Sequence, residues 1–296
     1  MNKTFSNAVI PAIPDPTVAV GTLTKGTDDK LSAQITAGEN TKLEYAWTQS
    51  SSDPADGDWI PVMGTNITSP TVSVIPTQPG KWYLHARAIN SINIKKTAVS
   101  NGVTVEPAPT LDVKQNSSAW AQSRTITVTK TPPAATVTVE HLGQATVHET
   151  VTGGTYTATK NGLYTFTASN GGKTVTQSVL VAGVDRDQPL LTLQQADGLV
   201  RNSTDSKTPA VKAGVGSLHP GFEVSGTASD GLSGLSKVEY LFNNSASTLT
   251  GTWQVAACTD GSYTIGYPAA NAEPQYLHVR ATDAAGNVTV LTSDGF

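Results

Sequence analysis

The sequence predicts an all-β chain of three tandem β-sandwich domains in an elongated arrangement. Three observations lead there: a period-two alternation of apolar and polar residues along most of the chain, turn clusters between the alternating runs, and a block that recurs at offsets of 193 to 195 residues. Composition agrees, with 43 Thr, 26 Gly and 17 Pro but only 2 Met in 296 residues, a balance that favours strands and tight turns over helices. Charged residues make up 14% and the net charge is −4, which leaves no basic footprint for nucleic acid. No stretch approaches the roughly 18 uninterrupted apolar residues of a membrane span.

Alternation over Thr17 to Leu23, Lys30 to Thr36, Thr71 to Ile75, Thr125 to Thr129, Thr136 to Glu140, Lys173 to Val181, Phe222 to Thr227 and Asn287 to Leu291 predicts half-buried strands, one face in a core and the other in water. Turns are expected at Asp53 to Asp58, Gly153-Gly154, Asn170 to Gly172 and Ala284 to Asn287, where Gly, Asn, Asp and Pro supply turn geometry.

The recurrence sets the domain count. Leu43 to Trp47 matches Val238 to Phe242, Trp59 matches Trp253, and Tyr83 to Ala88 matches Tyr276 to Ala281, in the same order. A fainter middle copy puts Tyr164 to Asn170 in the phase of Leu84 to Asn90 and Leu277 to Asp283, each with an Ala two residues before an Asn or Asp. Proline-bearing segments, Glu106 to Pro109 and Asp185 to Pro189, interrupt strand pairing and mark the boundaries. Residues 1–16 are then an N-terminal extension or first strand, 17–107 the first domain, 108–185 a shorter second and 186–296 a third. Val99 to Val103 matches Thr292 to Phe296, but the first copy continues through Thr104 to Pro107 where the third stops. The third domain therefore reads as truncated in its last strand, and the chain as a segment of a larger protein, with signal and anchor outside it.

Units of roughly 80 to 110 residues with about seven strands fit an immunoglobulin-like sandwich. The runs Gly80 to Ala88, Asp230 to Tyr240 and Tyr276 to Asn287 resemble the bacterial immunoglobulin-like, or Big-type, repeat domains of large secreted or cell-surface proteins. The resemblance covers most of residues 190–296, much of 17–105 and the outline of 110–183. It implies a surface location and a structural or adhesive use without catalysis. The first domain departs from it, with Asn90-Ser91-Ile92-Asn93 where an aspartate and an Ala-Gly-Asn turn are expected, so a site that needs that aspartate is not expected there.

Catalytic patterns are missing from the sequence. His85, His141, His148, His219 and His278 form no His-Glu-x-x-His pair, Gly231 to Gly234 falls short of a Gly-x-Ser-x-Gly elbow, and the single cysteine, Cys258, has no neighbouring histidine and no disulfide partner. The chain is expected not to be an enzyme. Alternation puts Tyr83, His85 and Arg87, and likewise Tyr276, His278 and Arg280, on one face of a strand, with Leu84, Ala86 and Ala88 pointing into the sandwich. On an open sheet surface such a stripe suits a glycan or a peptide. Cross-strand packing is the plainer reading, and repetition favours it. Trp47, aligned with Phe242, reads as core; Trp59 and Trp253 read as packing residues; Trp82 and Trp120 lack a repeat partner and are the candidates for stacking on sugars.

The sequence requires no cofactor, and calcium is the ion that its carboxylates suggest. Calcium takes about 6 to 8 oxygen ligands, and Asp185, Asp187, Asp230 and Asp283 are expected to meet at the second junction, where an ion would stiffen the chain. Asp53, Asp56 and Asp58 form a second acidic group, which turn formation explains equally well. Asn66, Asn116, Asn202, Asn243 and Asn287 match Asn-x-Ser/Thr, a pattern that a Thr-rich chain produces by chance.

The function these readings favour is a non-catalytic extracellular stalk, spacer or surface-layer building unit of a larger bacterial surface protein. Its partners are then the neighbouring domains of that protein. The alternative is an adhesin, or an accessory module of a large secreted enzyme, that binds cell-wall or host glycans or proteins.

Overall fold

The computed structural model describes residues 12–64, 67–143, 149–194, 200–202, 223–266 and 276–293. Among them are strands and one short 3-10 turn, Asp56–Asp58, with no α-helix, and so no helix long and apolar enough to cross a membrane. Strands stand where alternation placed them, among them Leu31–Ala37, Thr71–Val74, Arg124–Thr131, Thr136–His141, Lys173–Val181, Glu223–Ser229 and Val288–Thr292. The run expected from Thr17 to Leu23 is instead divided into Val18–Val20 and Thr24–Lys25. Both pieces pair with Leu31–Ala37, Val20 opposite Ile35 and Thr24 opposite Ser32, so four steps on one side face three on the other. That one-residue excess is a bulge, and it turns Leu23 into the core.

Among the described residues the strands form six sheets that pack as three sandwiches. In the first, one sheet joins Val18–Val20, Leu31–Ala37, Thr24–Lys25 and Thr71–Val74. The other joins Ile60–Pro61, Lys42–Thr48, Gly80–Ile89, Lys95–Val99 and Val103–Val105. Leu31, Ile35, Leu43, Leu84, Ala86 and Val105 close the core between them, each large side chain contributing about 1.5–3 kcal/mol of burial. The register sets Glu44 opposite Arg87, Ala46 opposite His85 and Trp47 opposite Leu84. Where the edge strand breaks after Val99, Ser100 fills the ladder: its N–H donates to Leu84 O and its hydroxyl accepts from Leu84 N–H, both at 2.9 Å.

The third sandwich repeats this construction. Val200–Asn202, Leu190–Gln194, Glu223–Ser229, Ser262–Gly266 and Cys258–Thr259 form one sheet, and Gln254–Val255, Leu235–Asn243, Tyr276–Asp283 and Val288–Thr292 the other. Glu239 lies opposite Arg280 and Leu241 opposite His278, the register of the first copy. Ser293 fills the ladder at Leu277 with two 2.8 Å hydrogen bonds, as Ser100 does at Leu84. The middle sandwich sets Thr110–Gln115, Arg124–Thr131 and Thr155–Ala158 against Glu149–Thr150, Thr136–His141, Gly162–Asn170 and Lys173–Val181, with Ile126, Val137 and Phe166 buried. By packing, the chain divides into two compact units, residues 1–110 with 131–136 and 168–175, and residues 111–130, 137–167 and 176–296. The first sandwich lies in the former and the third in the latter.

Candidate functional site

The Tyr/His/Arg stripes share a strand face, but that face is covered. In the first sandwich Arg87 donates from Nε and Nη2 to Glu44 Oε2 at 2.9 and 2.6 Å and from Nη1 to Asp56, while its guanidinium lies 4.4 Å from the Trp59 ring centroid. Lys42 reaches the other Glu44 oxygen at 2.6 Å. In the third, Arg280 Nε donates to Glu239 Oε2 at 2.7 Å and stacks 4.2 Å from Trp253, and Lys237 meets Glu239 at 3.0 Å. One Lys-Glu-Arg-Trp clamp is thus used twice. Burial works to raise the Glu44 carboxyl, but the hydrogen bonds of Lys42 and Arg87 hold it below its ordinary value; at Glu239 the Arg280 bond is the largest influence and acts the same way.

His85 and His278 are fully enclosed and Arg87 is only 7% exposed, so at these residues the stripe is a packed layer, the plainer of its two readings, and not a ligand-facing surface. His85 meets Trp59 edge-on, and its Nε2 bonds Ser50 O at 2.9 Å and the Thr48 hydroxyl at 3.1 Å. His278 Nε2 lies 3.0 Å from both Ser245 O and Asn243 Oδ1, and its Nδ1 lies 2.8 Å from the Thr292 hydroxyl. Burial lowers the His278 pKa, against the Ser245 hydrogen bond. Tyr83 and Tyr276 are half-buried, and the Arg280 side chain keeps 31% exposure. Glu44 and Glu239 were the residues missing from the sequence-derived site; both fall inside the matched runs, directly opposite the arginines.

Trp82 is half-buried against the first core and donates from Nε1 to Gln78 O at 3.1 Å, while Trp120 is 38% exposed. Trp47, expected as core, packs at the core margin and is only partly buried. His85, His141 and His278 sit one to a sandwich; His148 and His219 lie outside the described residues. A cavity of about 550 Å³ opens on the first sandwich, lined by Asp53, Asp56, Trp59, Arg87, Lys95 and Lys96 among others.

Three of the four aspartates expected at the second junction come together. Asp185, Asp230 and Asp283 bring carboxylate oxygens within 4.8 Å of one another, although Asp185 and Asp283 are only 1% and 2% exposed. Asp187 is exposed and stands outside this group; it gives its backbone N–H to Asp185 Oδ1 at 2.9 Å instead of a carboxylate to an ion, which corrects the expected set. The loop after Asp230, which resembles a nucleophile elbow only in spelling, folds its N–H groups inward: Leu232 and Gly234 donate to Asp230 Oδ1, and Ser233 to Asp185 Oδ2 at 3.0 Å. Asn287 donates its backbone and side-chain N–H to the two Asp283 oxygens, each at 2.7 Å. Burial works to raise the Asp185 carboxyl, but hydrogen bonds from Ser233 and Asp187 hold it below its ordinary value. Among the described residues no Lys or Arg pairs with any of the three. Like charges at this spacing repel by roughly 3 kcal/mol per pair at an effective dielectric near 20. Oxygen-rich, anionic and partly dry, the group has the donor chemistry of a hard divalent cation site.

The sheet pairs and registers define the class: the chain is a tandem array of immunoglobulin-like β-sandwich domains. No protein-family model matches the chain, and no curated protein matches it. Among solved structures it is similar to an I-band fragment of titin, at 11% identity and a TM-score of 0.43 over 96% of this chain and 98% of that one. It is also similar to a C-terminal 282-residue fragment of intimin solved with the intimin-binding domain of its receptor, at 12% identity and 0.38 over 62% and 67%. A tetra-tandem repeat from the extending region of a large adhesion protein gives 17% identity and 0.30 over 94% and 73%. The class rests on the sheets themselves, not on these likenesses.

Proposed function

We propose that the chain is a non-enzymatic extracellular spacer, a stalk or surface-layer building unit in a larger bacterial surface protein, with calcium held by Asp185, Asp230 and Asp283. The observation that carries this reading is the linker after the middle sandwich. Val184 is gripped by Asn161 through two hydrogen bonds of 2.7 and 2.8 Å, Asp185 N–H donates to Ala121 O, and Arg124 donates to the carbonyls of Ala182 and Gly183. On its other side Asn287 donates to Asp185 O at 3.2 Å and Thr289 to Pro189 O at 2.6 Å. A segment tied at both ends transmits orientation in a way a free hinge does not, and Asp185 sits in its middle.

Small-angle scattering on the full chain tests the spacer reading. The expected maximum dimension is that of sandwiches laid end to end, smaller after Asp185→Ala or chelation; a collapsed particle of one domain's width sinks it. The cavity beside Asp53 favours a second reading, an adhesin that binds a glycan or host protein, because its Lys95-Lys96-Thr97 wall is Val288-Thr289-Val290 in the third copy. A glycan and protein array without a reproducible binder retires that alternative.

A further inference from the structure

The two equivalent histidines differ at one nitrogen. In the third sandwich His278 uses both, and Thr292, opposite it in the neighbouring strand, supplies the hydroxyl at Nδ1. In the first sandwich the residue opposite His85 is Val99, which has no hydroxyl. His85 Nδ1 is enclosed and has no hydrogen-bond partner; the charged atom facing it is Asp53 Oδ1 at 3.8 Å. Ser50 O only accepts, so in the neutral ring Nε2 carries the hydrogen and Nδ1 turns a bare lone pair towards a carboxylate. Two acceptors face one another, one of them without water.

The geometry points to a proton-operated latch in the first sandwich: a proton taken from solvent by His85 Nδ1 becomes a donor to Asp53 and ties the loop 49–54 to the strand Gly80–Ile89. The surrounding charges leave Asp53 as its counter-charge. On the same strand Arg87 opposes an added positive charge, but Glu44 from the facing strand and Asp56 from the 3-10 turn already neutralise it, and Lys95 from the other neighbouring strand is engaged with Asp56. The other titratable groups on that face are Tyr83, Lys81, whose ammonium lies 5.5 Å from the Tyr83 ring centroid, and Lys42 of the facing strand, which is paired with Glu44. Asp53 is anchored by the Thr97 hydroxyl at 2.9 Å through its other oxygen, which leaves Oδ1 to the imidazole. The Asp53 side chain is 56% exposed and sits on a loop, so it has room to close the gap.

The test follows the ring nitrogens of the full chain by NMR from about pH 8 to about pH 5, the range in which imidazole changes charge. The expected result is an acceptor-to-donor change at His85 Nδ1, with slower amide exchange over residues 50–53, while His278, whose Nδ1 already has the Thr292 hydroxyl as partner, serves as the internal control. Asp53→Asn removes the counter-charge and Val99→Thr supplies the hydroxyl that His278 has; both shift proton uptake to lower pH and abolish the gain in protection. Both positions are partly exposed, so the variants fold, and near-UV circular dichroism checks it. A His85 ring that keeps its lone pair to pH 5, or an unchanged response in Asp53→Asn, overturns the latch.

Discussion

The turns 90–94 of the first sandwich and 283–287 of the third are drawn on one hydrogen-bond frame. Asn90 N–H donates to Ile94 O and Asp283 N–H to Asn287 O, each at 3.1 Å, and the left-handed position is held by Asn93 at φ 63° in one and Gly286 at φ 88° in the other. The side chains at the head of the turn then do different work. Asn90 accepts from the N–H groups of Ile92 and Ile94 and donates its amide to Pro14 O at 3.1 Å; Asn170 of the middle copy donates to Pro107 O at 3.0 Å. Asp283 has no proton to give, so Asn287 makes the tie to the preceding segment, and the carboxylate is left to join Asp185 and Asp230. An amide makes a neutral stitch; the isosteric acid, in the same frame, makes an anionic pocket. What the copies share is architecture, and where they part is where function is to be sought.

The largest expected effect tests the shared part. Arg87→Ala leaves the buried Glu44 carboxylate without its guanidinium and should cost about 3 kcal/mol, whereas Arg280→Ala, whose side chain is 31% exposed, should cost about 1 kcal/mol. Urea unfolding followed by tryptophan emission reads both; equal losses would break the reading that burial separates the two clamps. Next comes calcium. With the ion about 100-fold above its Kd the third sandwich gains about 2.7 kcal/mol, a rise of roughly 10 °C in its Tm. A chelator or Asp283→Asn should remove that gain and leave the first sandwich, with Asn90, untouched; calorimetry that finds no difference retires the ion. Smaller again is Asn90→Asp, which keeps the acceptor for the Ile92 and Ile94 N–H groups but deprives Pro14 O of its donor, for about 1 kcal/mol read as a loss in urea unfolding.

The smallest effect is that of pH on the clamps in the neutral range. Glu44 and Glu239 are held below their ordinary value of 4.5 in the folded chain, so the stability they give is complete above that value and is lost as pH falls through the lower folded one. Between about pH 7 and about pH 5.5 these carboxylates should contribute no change. A melting scan in that window is therefore free of the clamps and reads the histidines, His278 among them, whose lowered pKa costs stability as pH falls through the ordinary imidazole range; a slope that Glu44→Gln removes would assign it to the clamp instead.

Much of this was legible in the residues. The offset of Tyr83 to Ala88 from Tyr276 to Ala281 fixed equal registers, because strand neighbours are set by alternation and each core face demands the same phase. Asp185, Asp230 and Asp283 were named together because a junction brings loops of one sandwich end against its linker. Between packing and a ligand-facing stripe at His85 and Arg87 alternation could not decide, since it tells which face a side chain takes but not what lies over it. Trp59 and the loop 49–54 cover that face, and their approach is a long-range contact with no local signal.

By itself the sequence determined the strands, their inward faces and the repeat, since these follow from steric preference and period-two burial, which act over a few residues. Only the tertiary structure decided which polar groups lost their water. Two aspartates sink to almost no exposure beside a third with no cationic partner among the described residues, and one of two matched histidines has a buried nitrogen without a hydrogen bond, because a side chain's partners are set by residues about a hundred positions away along the chain.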